Sequence, residues 1–173
     1  MGEKAATSEV INRLVRALGD ENLDVRGKAC DALGKMSEKA ATSEVIPRLV
    51  SALGDKNFYV RSRACDALVQ MGKKAATSVM INGLVSALGH ENSDVRRRAC
   101  DALGKMGKKV ATSEVINGLV SALGHENSHV RRSAWDALDQ IGGKAAMSEV
   151  ISRIMSALDD ENWDIRSSVC DAF

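Results

Sequence analysis

The sequence predicts an all-α solenoid built from stacked helical hairpins, and three observations lead to this prediction. A motif of 35 residues recurs five times within the 173 residues. Each copy contains two segments with the apolar periodicity of a helix, separated by a short polar turn. A single proline and an aromatic content of 3% fit helices that pack through small side chains. A fixed period of roughly 20–50 residues is typical of solenoids, in which each repeat buries its apolar face only against its neighbours.

The copies align without gaps. Their bounds are 1–35, 36–70, 71–105, 106–140 and 141–173. The turn motif recurs as Leu18-Gly19-Asp20, Leu53-Gly54-Asp55, Leu88-Gly89-His90, Leu123-Gly124-His125 and Leu158-Asp159-Asp160. A second motif recurs as Val25-Arg26, Val60-Arg61, Val95-Arg96, Val130-Arg131 and Ile165-Arg166. We expect the whole chain, 1–173, to form one repeat array.

The first repeat shows how each hairpin is built. Its first helix is predicted from about Ser8 to Leu18, where apolar side chains recur at helical spacing. Thr7 and Ser8 supply hydroxyl groups for the N-cap, and Gly19 is expected to end the helix in the left-handed conformation.

The second helix is predicted from about Leu23 to Met36, with Asn22 as its N-cap. Pro47 falls in the first turn of the next repeat's first helix, where its missing N–H costs little.

Charge and hydropathy limit the classes of partner. The net charge is +1, from 24 basic and 23 acidic residues, whereas binders of nucleic acid or anionic membranes normally carry a basic excess. The basic groups Arg96-Arg97-Arg98 and Arg131-Arg132 are the main support for a nucleic-acid hypothesis, and nearby acidic residues dilute them. No apolar run approaches the ~18 residues of a membrane span, and the N-terminus lacks a signal-peptide core. We therefore expect a cytoplasmic protein with no membrane or nucleic-acid partner.

Cysteine placement agrees with a reducing compartment. The four cysteines occupy one repeat position, as Cys30, Cys65, Cys100 and Cys170. Equivalent positions on stacked helices lie about 10 Å apart, whereas a disulfide needs Cα atoms within about 7 Å. The pattern predicts free, buried thiols that act as small apolar side chains.

These residues carry a family resemblance that covers essentially the whole chain. The stretch Ile46-Pro47-Arg48-Leu49-Val50-Ser51-Ala52-Leu53-Gly54-Asp55, continued by Val60-Arg61-Ser62-Arg63-Ala64-Cys65-Asp66-Ala67-Leu68, resembles a HEAT repeat. The closest subtype is the short-unit one of phycocyanobilin-lyase-like arrays. The resemblance implies a right-handed α-solenoid, or superhelix, of five two-helix HEAT-like repeats. It says little about function, because HEAT arrays serve many.

The resemblance also implies a ladder of hydrogen bonds between turn carboxylates and Val-Arg arginines of successive repeats. It carries over to Asp20, Asp55, Asp160, Arg26, Arg61, Arg96, Arg131 and Arg166. His90 and His125 replace the turn aspartate in the third and fourth repeats. A protonated imidazole would repel the arginines, so we expect the middle of the array to loosen below about pH 6.

Catalytic chemistry has weak support. His90-Glu91 and His125-Glu126 resemble the iron-binding His-Glu pairs of HEAT-like deoxyhypusine hydroxylases, but those pairs lie on the second helix and these lie in the turn. His129 has no partner nearby in sequence, and there is no nucleophile elbow, phosphate loop or CxxC pair. We expect no catalytic residue, no metal site and no cofactor.

A polar stripe on the second helices is the candidate binding surface. In HEAT arrays these helices line the concave face, and positions spaced i, i+4, i+7 point away from the core. The stripe is Asp24, Lys28, Asp31, Tyr59, Arg63, Asp66, Asp94, Arg98, Asp101, His129 and Asp136. Tyr59, Arg63 and Arg98 are the best candidates for energetic hot spots, since tyrosine and arginine dominate interface energetics. The alternative is a solvated face joined by weak ion pairs.

Both ends of the array are apolar, whereas natural solenoids normally have polar terminal repeats. Val10 and Ile11 at one end, and Trp163 and Phe173 at the other, suggest a fragment of a longer array or end-to-end self-association. The leading functional hypothesis is a non-enzymatic protein-interaction scaffold that binds a protein or peptide. The alternatives are a positioning module of a larger enzyme or signalling protein, and an enzyme of the bilin-lyase or hydroxylase type.

Overall fold

A computed structural model of the protein describes residues 2–142 and residues 148, 151, 152 and 155, with side chains described from residue 7 onward. Over these residues the chain forms helices and turns without a strand, which confirms the all-α prediction. The helices are α1 Gly2–Ala17, α2 Leu23–Met36, α3 Val45–Ala52, α4 Phe58–Lys74, α5 Ser78–Leu88, α6 Ser93–Met106, α7 Ser113–Ala122 and α8 Ser128–Ile141. Short 3₁₀ turns, Ser37–Ala40 and Gly107–Val110, follow α2 and α6.

Two compact units make up the chain. They are Met1–Gly83, the N-terminal unit, and Leu84–Phe173, the C-terminal unit. The single array over 1–173 remains a prediction, and each unit is described by itself.

In the N-terminal unit, α2 packs along α4, while α1 packs against α2 and α3 against α4. Leu33, Leu49 and Leu68 are fully buried between these helices. The close approach of α2 and α4 depends on Gly34, because a Cβ there would lie 2.9 Å from the Cα of Ala67.

The C-terminal unit repeats this arrangement. Helix α6 packs along α8, and α7 packs against α8. Gly104 occupies the position of Gly34, and a Cβ on it would lie 2.8 Å from the Cα of Ala137. In both units, therefore, a glycine inside one second helix lets the next second helix approach closely.

Asparagine caps begin the second helices, as the sequence predicts. The Asn22 side chain accepts a hydrogen bond of 2.8 Å from the backbone N–H of Asp24. The predicted bounds of this helix, Leu23–Met36, are also confirmed. Equivalent caps are made by Asn57, Asn92 and Asn127.

The first helices do not all begin at a capping threonine, since Glu44 precedes α3 and its side chain makes no capping hydrogen bond. Thr42, Thr77 and Thr112 each accept a hydrogen bond from a backbone N–H three residues later, as a capping hydroxyl should. Thr7, at the same repeat position, lies inside α1, which begins at Gly2. The capping role predicted for Thr7 and Ser8 is therefore wrong, because the preceding Glu3-Lys4-Ala5-Ala6 run is itself made of good helix formers.

The predicted left-handed stop at Gly19 is also wrong. The φ of Gly19 is not positive. Its N–H donates a hydrogen bond of 3.0 Å to the carbonyl of Arg16. This i to i−3 bond tightens the last turn and satisfies a terminal carbonyl without a left-handed residue. Positive φ occurs at the ends of second helices, at Ser37, Gly107 and Gly142.

Three of the four cysteines fall among the described residues. Cys30, Cys65 and Cys100 are free and buried, as predicted, while Cys170 lies outside the described residues. Burial is the largest cause that raises the pKa of Cys30 and of Cys100 to about 12.

In the part of the chain that the structure describes, none of the helices has the length and apolar character to cross a membrane.

Candidate partner-binding face

Arg26 and Asp55 form a complete rung of the predicted ladder within the N-terminal unit. The Nε and Nη2 atoms of Arg26 donate to the two carboxylate oxygens of Asp55, at 2.7 and 3.1 Å. Nη1 donates to the backbone carbonyls of Asp20 and Glu21, at 2.8 and 3.0 Å. Burial opposes ionisation of Asp55, but hydrogen bonds from Arg26 and from the N–H of Asn57 outweigh it and lower the pKa of the carboxyl. The hydrogen bond to Asp55 raises the pKa of Arg26.

The other ladder arginines hold the turn of their own repeat. Arg61 donates to the carbonyls of Asp55 and Lys56, Arg96 to that of Glu91, and Arg131 to those of His125 and Glu126. The Asp20 carboxylate accepts from the N–H of Asn22. Asp160 and Arg166 lie outside the described residues.

His125 replaces the aspartate of a rung, and the replacement leaves a donor without an acceptor. Its Nδ1 accepts a hydrogen bond of 3.0 Å from the N–H of Asn127, the bond that Asp55 makes to Asn57. The Nε of Arg96 is buried and has no hydrogen-bond partner among the residues that the structure describes. Partial burial is the largest cause that lowers the pKa of His125, and the positive charge of Arg96 is the next.

The structure gives His90 a local role similar to that of His125. His90 is exposed, and its Nδ1 accepts from the N–H of Asn92 at 3.0 Å. Over the described residues, no three His, Cys, Asp or Glu side chains come together as a ligand set. The two His-Glu pairs lie in turns, where the histidines cap the backbone.

The polar stripe of the N-terminal unit contains an ordered cluster. The Arg63 guanidinium stacks on the Tyr59 ring, 5.0 Å from its centroid, and lies 3.7 Å from the Asp31 carboxylate of the neighbouring helix. The Tyr59 ring also covers Gly27 of α2, because a Cβ at Gly27 would lie 2.9 Å from the Cδ1 atom of the ring. The ring is thus held between a buried glycine and an arginine, and Tyr59 and Arg63 are partly exposed.

The other stripe residues of the N-terminal unit place charged side chains around this cluster. Asp24 and Lys28 are exposed on α2, and Asp66 is partly exposed on α4. All three lie on the helix side that the 3.6-residue period assigned to them.

In the C-terminal unit the stripe is more acidic. Asp94, His129 and Asp136 are exposed, and Asp101 is partly exposed. Arg97 lies between two of the carboxylates, 3.1 Å from Asp101 and 3.7 Å from Asp94.

The prediction that Arg98 lies on the exposed stripe is wrong. The sequence places it on the exposed stripe as a hot spot, but its exposed fraction is 5%. Its helical neighbours Val95 and Ala102, three residues before and four residues after it, are buried as well. Arg98 therefore belongs to the packed side of α6 and does not present its guanidinium to a partner.

Gly27 and Arg97 are the residues that sequence reasoning missed. They share one repeat position, which reads Gly27, Ser62, Arg97 and Arg132 in the first four repeats. A glycine in a helix interior costs about 1 kcal/mol relative to alanine, so its presence signals a close contact. The signal does not identify the contacting side chain, which comes from the next repeat.

The apolar N-terminal end is partly covered. Val10 has an exposed fraction of 48%, whereas Ile11 is 8% exposed and Leu14 and Val15 are intermediate. Trp163 and Phe173 lie outside the described residues. End-to-end self-association remains a prediction.

Comparison with known proteins agrees with these repeats. The family model for HEAT repeats matches residues 11–84 and 81–173. A search of curated proteins finds no significant match.

Several solved structures with a similar fold are engineered or designed proteins. A crystal structure of an engineered protein from the Northeast Structural Genomics Consortium is similar, with a TM-score of 0.53 and 18% identity, covering 94% of this chain and 77% of that one. A second engineered protein from the same consortium has a TM-score of 0.51 and 22% identity, over 94% and 78% of the chains. A designed armadillo repeat protein has a TM-score of 0.53 and 17% identity, over 98% and 83%. At these identities the likeness shows the fold alone, that of a helical repeat solenoid.

The finer assignment, to the phycocyanobilin-lyase-like subtype, remains a prediction. The family model covers most of the sequence in two consecutive stretches, each holding helical hairpins with the turn and Val-Arg motifs. On this evidence the chain belongs to the HEAT-repeat family.

Proposed function

We propose that the chain is a non-enzymatic scaffold that binds a protein or peptide partner through the polar stripe on its second helices. The repeat-solenoid fold supports a role in protein–protein interaction in general, since stacked repeats offer an extended surface. The proposal of this particular face rests on the cluster of Tyr59, Arg63, Asp31 and Gly27, called the Tyr59 cluster. We expect the protein to act inside the cell, where its thiols stay reduced.

The Tyr59 cluster has the properties of a binding hot spot. Tyrosine and arginine are enriched at such positions, and a ring that is already immobilised loses little conformational entropy when a partner covers it. Tyr59 is immobilised by the backbone of Gly27 below it and by the Arg63 guanidinium stacked on it. The Asp31 carboxylate, 3.7 Å from Arg63, helps to orient that guanidinium.

The stripe around the cluster supports selectivity. Asp31, Asp66, Asp101 and Asp136 occupy one repeat position, while the residues beside them change from repeat to repeat. Within each unit, constant carboxylates beside variable neighbours attract basic partners and discriminate among them. We therefore expect the partner to present basic groups around one or two apolar side chains.

Affinity capture with matched variants tests the proposal. The immobilised chain is compared with Tyr59→Ala, Arg63→Ala and the control Phe58→Ala, which removes an exposed ring just outside the stripe. A protein retained by the parent chain and the control, but bound at least tenfold more weakly by Tyr59→Ala and Arg63→Ala, supports the proposal. Equal retention by all variants, or equal loss with Phe58→Ala, contradicts it.

A further inference from the structure

A groove separates α1 and α3 in the N-terminal unit, on the first-helix side of the hairpins. Two adjoining cavities of about 650 and 640 Å³ form this groove, and both are lined by Asn12 and Glu44. The first reaches Thr7 of α1, and the second reaches Gly54 beyond the end of α3. The groove therefore follows most of the length of the two helices.

Arg48 explains why a groove exists here. Its repeat position holds glycine in the next two repeats, as Gly83 and Gly118. A Cβ on Gly83 would lie 3.3 Å from Cγ2 of Val50, and one on Gly118 would lie 2.7 Å from Cδ1 of Leu88, so each glycine lies against the preceding first helix. Arg48 instead places a long side chain at this position, at the edge of the groove.

The floor and the rim of the groove differ in character. Ile11 and Val15 of α1, and Leu18 just after it, contribute apolar surface to the floor. Asn12 and Ser51 bring amide and hydroxyl groups that can bond a peptide main chain. A helix has already satisfied its main-chain groups internally, whereas an extended segment needs such partners.

The charge of the rim selects an acidic occupant. Arg16, Lys39 and Arg48 line the groove, are exposed, and form no ion pair with any residue that the structure describes. Two carboxylates, those of Glu44 and Asp55, also line the groove, and that of Asp55 is already bonded to Arg26. The charge of the groove is therefore set by three basic side chains and the single carboxylate of Glu44.

We propose that the α1–α3 groove binds an extended acidic segment of a partner protein, with apolar side chains on its floor and carboxylates at Arg16, Lys39 and Arg48. From Thr7 to Ala17, α1 spans about 15 Å at ~1.5 Å per residue, which matches about four to five extended residues at ~3.3 Å each. This surface is separate from the polar stripe of the second helices and extends the proposed scaffold role to a second partner class.

The test is fluorescence anisotropy with a labelled ten-residue peptide that alternates glutamate and leucine. A peptide with lysine in place of glutamate is the matched probe. The expected result is that the glutamate peptide binds and that Arg48→Glu weakens its binding at least tenfold. Arg132→Glu, the same charge change at an exposed position of α8, should alter the binding less than twofold. Ser51→Trp, which fills the groove without changing charge, should weaken binding to a similar degree, and circular dichroism verifies that each variant is folded.

Several outcomes overturn the proposal. These are no binding of the glutamate peptide, equal binding of the lysine peptide, or an equal loss with Arg132→Glu, which would indicate general charge attraction. Sedimentation adds one more: a dimer of the parent chain that Arg48→Glu dissociates would show that a second copy occupies the groove.

Discussion

The guanidinium of Arg26 in α2 holds the carboxylate of Asp55, in the turn before α4, through two hydrogen bonds of 2.7 and 3.1 Å. The remaining nitrogen of Arg26 bonds two backbone carbonyls of its own turn. One side chain thus joins consecutive repeats and fixes the turn between the helices of the first. The exposed fractions of the two side chains are 6% and 13%, so water competes little with this pair.

Replacing Asp55 with alanine is expected to lower the free energy of unfolding by clearly more than the loss of an exposed ion pair, because the Arg26 guanidinium then has no carboxylate partner in a position little exposed to water. Urea denaturation followed by circular dichroism measures the change. The control is Arg13→Ala, which removes an exposed pair with Glu9 and should cost less than about 0.5 kcal/mol. A loss with Asp55→Ala no larger than that control would show that the rung contributes nothing.

His125 is expected to make stability depend on pH. Because the fold lowers the pKa of His125, the unfolded chain binds a proton more readily than the folded chain. This contribution to stability is fully present above the unfolded pKa of about 6.5 and is lost as the pH falls through the folded value. Thermal melts between pH 7 and pH 5 should therefore show a falling midpoint.

His125→Asp should remove that part of the pH dependence and raise the free energy of unfolding at pH 7. A carboxylate there can accept from the Nε of Arg96, and a buried donor without a partner costs about 1–3 kcal/mol. The converse change, Asp55→His, should destabilise the chain at pH 7. The explanation fails if His125→Asp melts with the same midpoint and the same pH profile as the parent chain.

The features that sequence predicts well are those set by local signals repeated in each copy. Asparagine recurs before every second helix and the apolar period recurs within it, so the bounds of α2 and its Asn22 cap follow from sequence alone. The Arg26–Asp55 rung follows from a resemblance whose two motifs both recur.

The features that sequence misses depend on which neighbour packs where. Arg98 and Arg63 share a repeat position, yet one is buried and the other is partly exposed. The Tyr59 ring over Gly27 and the groove beside Arg48 arise at positions where one repeat carries a residue different from those of the other repeats. Periodicity describes the average repeat, whereas the candidate sites lie where one repeat differs from the next.

The glycine contacts between second helices should be intolerant of even one methyl group. In a free helix, Gly104→Ala would stabilise by about 1 kcal/mol through propensity. Here the new Cβ would lie 2.8 Å from the backbone Cα of Ala137, and such overpacking costs about 1–3 kcal/mol. Denaturation should therefore show a net loss for Gly104→Ala and for Gly34→Ala, and little change for the control Gly124→Ala, whose Cβ would meet only a carbonyl at 3.7 Å. A stabilised Gly104→Ala variant would mean that the helices can separate at little cost.

The buried thiols should be nearly inert until the chain unfolds. A pKa of about 12 for Cys30 and Cys100, against an ordinary 9.0, lowers the thiolate fraction at pH 8 about a thousandfold, and only the thiolate attacks a disulfide reagent. In a Cys170→Ser background, the thiols should therefore react with an aromatic disulfide reagent only as fast as guanidinium unfolds the protein. Adding Ser121→Cys, an exposed position on α7, should introduce one rapidly reacting thiol and leave the slow phase unchanged. Rapid reaction of Cys30 or Cys100 in the folded chain would show that the helices around them open readily, and that the tight packing seen at Gly34 and Gly104 is transient.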